Sequence, residues 1–308
     1  MGDTLLDWER ILMKNHRQFL GAALLLLACA SKLSAQAEDF PNIAGTPPKL
    51  LLLVHQEFKS GKAAERRKIE VAVSRACDPL DVPNAWIDLE SLSGRPEALF
   101  FDPFDSFEQV DTAFLEWGRI FGAHPELARM QEELQALVSA ERTIIAVRRD
   151  DLGYRPQSID FSKARFMRVL EVRLNPGHES DFVEAFRTLA RAYEKIKADT
   201  PWVVYQVNVG MPSPAFLVFV PMRALRQNDD LLSWRRSLRE AEGEEAAGRM
   251  EQLARDAYKS TESNLYAVSP ETSHVTKDFA DGDPQFWAPK QPASSPAARK
   301  NANTPKNP

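Results

Sequence analysis

The chain has 308 residues, of which 44% are hydrophobic and 27% charged, and a formal net charge of −5. That length accommodates two modest domains or one large one, each with a genuine core. The acidic balance argues against nucleic acid or an anionic membrane surface as a partner.

From Met13 the chain reads MKNHRQFLGAALLLLACASKLSAQA. Lys14 and Arg17 give a positive start, Phe19 to Ala30 an apolar run too short to span a bilayer, and Ala35-Gln36-Ala37 a small-x-small cleavage pattern. Residues 1–37 are expected to be a secretory signal peptide with its true start at Met13. The exported chain, periplasmic or secreted, then begins at Glu38 and has no transmembrane helix. Leu26-Leu27-Ala28-Cys29 supplies the alternative, a lipoprotein anchored at Cys29. The mature chain keeps one cysteine, Cys77, so neither an internal disulfide nor a cysteine-built metal site is expected. Cys77 ends an apolar helical pattern and reads as a small buried hydrophobe.

Next come elements that occur twice. A strand over 50–58, LLLLVHQEF with its flanks, is matched at an offset of 116 by a strand over 166–174, FMRVLEVRL. A helix follows each. In the first, Ile69, Val73 and Ala76 form a short apolar stripe; in the second, Phe182, Phe186, Leu189, Tyr193 and Ile196 form a longer one. A hairpin follows, 86–92 with 98–104 and 202–209 with 215–221. Trp86 parallels Trp202, and Gly94-Arg95-Pro96 parallels Gly210-Met211-Pro212. Long helical stretches come next, 106–140 and 228–260, the first broken near Gly122–Pro125 because proline disfavours helix in its predecessor. A last strand closes each unit, 142–149 and 263–269. The order β-α-β-β-α-β is the split βαβ arrangement of a ferredoxin-like unit. Such a sheet carries helices on one face, and its other face needs a cover. The fold expected is α+β: two tandem ferredoxin-like units, 48–150 and 164–272, covering each other as a pseudo-dimeric α/β barrel. The stretch after Trp287, rich in Pro, Ala, Ser, Asn and Lys, reads as a basic, disordered tail over 288–308.

LEVRLNPGHESDFVEAFRTL, Leu170 to Leu189, resembles the first strand, Pro-Gly turn and first helix of the dimeric α/β-barrel superfamily, which includes antibiotic-biosynthesis-monooxygenase-like and NIPSNAP-like domains. The first copy, Lys59-Ser60-Gly61-Lys62, lacks the proline and phenylalanine. The resemblance covers about 48–272 as two copies in one chain. It implies two sheets joined into a barrel. It implies no single chemistry, since such families include monooxygenases without a bound cofactor, haem enzymes and proteins of unknown activity.

Strand alternation then proposes a site. If the apolar faces meet the helices, the polar faces line the barrel. That places His55, Glu57, Glu171 and Arg173 inside, with Trp86, Asp88 and Glu90 from one hairpin and Trp202, Gln206 and Asn208 from the other. A polar set with two tryptophans suits a small-molecule cavity. His55 beside Glu57 or Glu171 suits a general base or a metal ligand; the same groups also suit a self-satisfied polar network. No H-x-x-x-H, G-x-S-x-G, Walker or G-x-G-x-x-G motif occurs, so no motif names a metal or a cofactor. Three functions remain: a binding module for a small organic ligand, an oxygenase- or isomerase-like enzyme using His55, and an interaction protein using its outer helices. The oligomeric state is open.

Overall fold

A computed structural model describes residues 45–288 except residue 233. The predicted signal segment with Cys29, and the tail beyond 288, lie outside the described residues. Eight strands carry the architecture. In chain order come β1 (Leu50–Phe58), α1 (Ala63–Cys77), β2 (Trp86–Ser91), β3 (Glu97–Phe104), α2 (Phe107–Ala123), α3 (Pro125–Leu137) and β4 (Val138–Arg148). After two short 3-10 turns come β5 (Phe166–Leu174), α4 (Glu179–Ile196), β6 (Val203–Val209) and β7 (Ala215–Met222). The chain then forms α5 (Gln227–Leu232), α6 (Trp234–Glu242), α7 (Glu244–Ala257), β8 (Tyr258–His274), α8 (Lys277–Ala280) and α9 (Pro284–Trp287).

The strands close into an all-antiparallel barrel in the order β1-β3-β2-β8-β5-β7-β6-β4. Among the first four the order is β4-β1-β3-β2, and among the last four β8-β5-β7-β6, which is the same order. Closure depends on two pairings between the sets, β2 with β8 and β4 with β6. The protein is thus a mixed α+β fold around a closed eight-stranded antiparallel barrel.

Local chemistry sets the element ends. Pro125 occupies the first turn of α3, where its missing N–H costs nothing, and so separates α2 from α3 at His124. Gly243, at φ +87°, separates α6 from α7 in the same way. The two hairpin glycines have a matched task. Gly94 (φ +79°) leaves no room for a Cβ against Asn264 of β8, and Gly210 (φ +97°) leaves none against the Thr143 backbone of β4. Each hairpin thus presses a glycine onto the last strand of the other set, where the barrel closes. Strands β4 and β8 begin before the apolar alternation does, because their first residues still pair, as in Ser260 with Arg173 and Ala140 with Glu57.

The barrel interior is dry along its middle. Leu51, Leu53, Leu99, Phe101, Val169, Leu217 and Phe219 belong to one buried cluster contributed by both strand sets. Phe101 and Phe219 meet edge to face at 5.4 Å. An eight-stranded barrel is just wide enough to be filled by its own side chains. One end is stoppered by the chain itself: Ile159 and Phe161 join Phe279 and Trp287 in the same cluster, and the Trp287 indole N–H donates to the Ser162 carbonyl at 2.7 Å.

This corrects the expected polar barrel cavity. The parity of β1 and β5 is as expected, but the hairpin parity is inverted. Ile87 and Leu89, with Val203, Tyr205 and Val207, point into the barrel. Trp86, Asp88, Glu90, Trp202 and Gln206 lie on the opposite, helix-covered side, and Asn208 is exposed near the strand end. The physical reason is that the barrel axis, not the helix interface, is the drier place for the apolar set.

Candidate functional site

The polar residues that do point inward form a single layer at the open mouth. His55 Nε2 lies 2.6 Å from Glu97 Oε2, and Arg142 Nη2 lies 3.2 Å from His55 Nδ1. Since arginine only donates, the ring proton sits on Nε2 and goes to Glu97. The same Arg142 nitrogen reaches both Glu171 oxygens at 2.9 Å. Tyr266 donates its hydroxyl to Glu97. Burial by itself would raise the Glu97 carboxyl, but the hydrogen bonds from His55 and Tyr266 outweigh it and hold that group below the usual carboxylate range. Glu57 faces the same mouth and pairs with Arg95 at 2.6 Å. The structure therefore brings His55 and Glu171 together through Arg142, with Glu97 and Tyr266 as partners that the sequence reading missed. Both His55 nitrogens are engaged. Arg173 shares the strand face of Glu171, and its buried Nε has no hydrogen-bond partner.

The residues of the first hairpin belong to a different place, the sheet face beneath α1, α2 and α3. There Arg66 and Glu70 of α1 are 3% and 5% exposed, values rarely seen for charged side chains. Arg66 donates to Asp88 at 2.8 Å and lies 3.5 Å from Glu70 and 3.6 Å from Glu90. Its guanidinium stacks over Phe58 at 4.6 Å. Arg67 bridges Glu90 and Glu271. One buried guanidinium faces three carboxyls, so it cannot neutralise all of them. Glu70 has the looser contact, and its burial outweighs Arg66 and pushes it up to about 8.

The matching face of the second strand set is apolar. Leu50 pairs with Phe104 as Phe166 pairs with Met222, so Asp102, opposite Leu52, occupies the place of Val220, opposite Arg168. By the same registers Gln56 stands where the other face has Val172, and Asp88 where it has Val204. On the helices Arg66 and Glu70 fall at the positions of Phe182 and Phe186, counted from Gly61 and Gly177. Those two phenylalanines, with Val172, Val204 and Val220, form one buried apolar cluster. Trp202 joins that cluster and caps its rim, donating to the Leu152 carbonyl at 3.0 Å; Gln206 takes a hydrogen bond from Arg149.

Beneath α1–α3 the polar face opens into a cleft of about 190 Å³. Its walls are Trp86, Trp117, Phe100 and Phe121, with Asn84, Gln56 and Gln131 at the edges. Both indole N–H groups are already used, by the Thr272 carbonyl at 2.9 Å and by Asn84 Oδ1 at 2.8 Å. What the tryptophans present to the cleft is ring surface, and His274 stacks behind Trp86 at 5.0 Å. Burial and nothing else pushes the Asp102 carboxyl up to about 8. Asp102 is half-buried as a residue, because it borders the cleft, yet its Oδ1 is sealed from solvent and has no hydrogen-bond partner.

No protein-family model and no curated protein matches this sequence. Solved structures do resemble it in outline. An anthrone oxidase-like protein is 11% identical, at a TM-score of 0.48, covering 74% of this chain and 94% of its own. The R173A mutant of chlorite dismutase from Candidatus Nitrospira defluvii is 11% identical, at 0.47, with the same coverage. A proposed monooxygenase from Lactobacillus acidophilus is 8% identical, at 0.45, covering 73% of this chain and 95% of its own. The monooxygenase-like side of the sequence resemblance thus reappears among these neighbours, and the NIPSNAP-like side finds no support in them. Likeness this distant says nothing of the chemistry here.

Among the described residues no three His, Cys, Asp or Glu side chains come together as a metal-ligand set. No described helix is long and apolar enough to cross a membrane. Cys77 is fully buried beside Trp86 and Ile120, and burial pushes its thiol up to about 11, as befits a packing residue.

Proposed function

We propose that this is an exported binding protein for a small organic molecule, taken up in the aromatic cleft beneath α1–α3 rather than in the barrel. The observation that carries the reading is an aromatic cleft bordered by the half-buried Asp102 carboxyl, one oxygen of which has no hydrogen-bond partner in the protein. Burial disfavours the ionised form of that carboxyl, and a ligand that donates to it where it borders the cleft offsets part of that cost. The volume, below the usual range for drug-sized ligands, suits a molecule of about one ring.

The equal strand order of the two sets, and the paired glycines Gly94 and Gly210, support the tandem reading of the chain as two ferredoxin-like units. Export rests on the sequence pattern of residues 1–37 alone. An intact mass beginning at Glu38 supports it, and a lipid-modified Cys29 moves the protein onto a membrane instead.

The enzyme reading, with His55 acting alongside Glu57 or Glu171, has less support, because Glu97 and Arg142 occupy both ring nitrogens. Metabolite extraction and mass spectrometry of the purified protein separate these readings from an empty scaffold. A small molecule carried by the native protein and lost from a cleft-filling Val73→Phe variant supports cleft binding. A molecule retained by Val73→Phe and lost from His55→Ala supports the barrel mouth.

A further inference from the structure

We infer that the ligand of the cleft is an organic cation, a small amine carrying its ammonium group on or next to a ring. This rests on the cleft-binding reading and adds the charge of the ligand to it.

Two carboxyls, Asp102 and Glu70, line the cleft, and no lysine, arginine or histidine does. The amide side chains at its edges offer further oxygens. Burial pushes both carboxyls up to about 8, so at pH 7 an ammonium group favours their ionisation and an anionic ligand opposes it. A neutral ligand with one hydroxyl satisfies Asp102 and gains nothing from the rings beyond burial. An ammonium group satisfies Asp102 with a charge-assisted bond and has further N–H groups for Glu70 or the amide oxygens.

The rings make the same selection. Trp86 and Trp117 lie 6.1 Å apart with their planes 55° apart, and Phe121 stacks on Trp117 at 5.4 Å. Their N–H groups are committed to protein acceptors, so a ligand meets the aromatic rings and not an indole donor. A desolvated cation over such rings gains about 2 kcal/mol, and tryptophan is the best of the aromatic partners. Arg66, the nearest cation, does not line the cleft; it is turned to Asp88 and stacked over Phe58. The space holds about six waters by liquid volume, enough for one ring and an aminomethyl group.

The test uses three probes of one shape and different charge, benzylamine, benzyl alcohol and benzoate, titrated calorimetrically into the full exported chain at pH 7. Benzylamine is expected to bind about ten-fold or more tightly than benzyl alcohol, with benzoate weakest. Asp102→Asn, which keeps shape and fold, is expected to bring benzylamine down to the level of benzyl alcohol, and Val73→Phe to abolish both. Equal binding of benzylamine and benzyl alcohol, or a preference for benzylamine that survives Asp102→Asn, overturns the cation while leaving cleft binding intact. Failure of all three probes to bind, or binding unchanged in Val73→Phe, overturns the cleft reading and the cation with it.

Discussion

The two helix-covered faces of this barrel share strand order, register and helix placement, and differ in what they bury. Beneath α4, Phe182, Phe186, Val172, Val204 and Val220 make an ordinary apolar core. Beneath α1, the corresponding places hold Arg66, Glu70, Gln56, Asp88 and Asp102. The apolar version proves that the architecture does not need the polar one. Replacing a buried ion cluster by hydrophobic residues is often neutral or stabilising by about 1–4 kcal/mol. The face beneath α1 is therefore held at a cost, and ligand binding in the cleft is the use we propose for it.

The largest effect tests whether the faces belong to one body. Expressed alone, 45–160 would leave Leu51, Leu53, Ile87, Leu89, Leu99, Phe101 and Ile144 in water, at about 1.5–3 kcal/mol apiece. That exceeds the stability of a typical domain, so neither 45–160 nor 161–288 is expected to unfold cooperatively as a soluble monomer. A sharp urea transition from either piece would show that the faces are independent and the comparison accidental.

Arg66→Ala probes the polar face directly. It strips the counter-ion from Asp88 and Glu70 and is expected to cost about 3–5 kcal/mol in urea unfolding. Phe182→Ala, at the matching place, is expected to cost about the same for a different reason, a cavity. The triple change Arg66→Phe, Glu70→Phe, Asp88→Val copies the apolar face and is expected to recover most of the loss. If the triple variant is as unstable as Arg66→Ala, the polar cluster is a structural requirement after all.

The paired glycines sharpen the comparison at the closure. Alanine at Gly210 forces a Cβ against the Thr143 carbonyl, which cannot swing aside, whereas at Gly94 it meets the Asn264 side chain, which can. With a left-handed φ at both, Gly210→Ala is expected to cost about 2 kcal/mol or more and Gly94→Ala about 1 kcal/mol. Equal losses in thermal melts would mean that the β4–β6 seam is as yielding as the β2–β8 seam.

Much of this was legible in the sequence. The offset of 116 between Trp86 and Trp202 gave the element order, and the alternation of Val169 to Leu174 gave the inward direction of Glu171 and Arg173. The depth at which a residue sits along the barrel axis was not legible, because parity tells which face a side chain takes and not how far it lies from the mouth. The direction of the hairpin faces was not legible either, because alternation says which residues share a face and not which way it turns: His55 and Glu57 point inward as expected, while Asp88 and Gln206 do not. Nor did the stripe Ile69, Val73, Ala76 reveal what α1 buries, which is Arg66, Glu70, Ser74 and Cys77. A usable signal was present: at an offset of 116 Arg66 and Glu70 fall on Phe182 and Phe186, a charged pair where the second strand set has a core pair. Asp102 stayed hidden because its neighbours Phe101, Pro103 and Phe104 read as a plain strand.

The account rests most heavily on Asp102, and the measurement that tests it is urea unfolding and benzylamine titration of Asp102→Val, which installs the residue of the other face. Burial raises the Asp102 carboxyl to about 8, so the folded state holds a proton that the unfolded chain releases near pH 4. Its penalty is absent below about pH 4, grows as pH rises and is complete above about pH 8. The valine variant is therefore expected to match the native protein near pH 4, to exceed its stability increasingly as pH rises to 8, and to have lost its preference for benzylamine. A variant less stable than the native protein at pH 8 that still binds benzylamine with undiminished affinity would contradict the account.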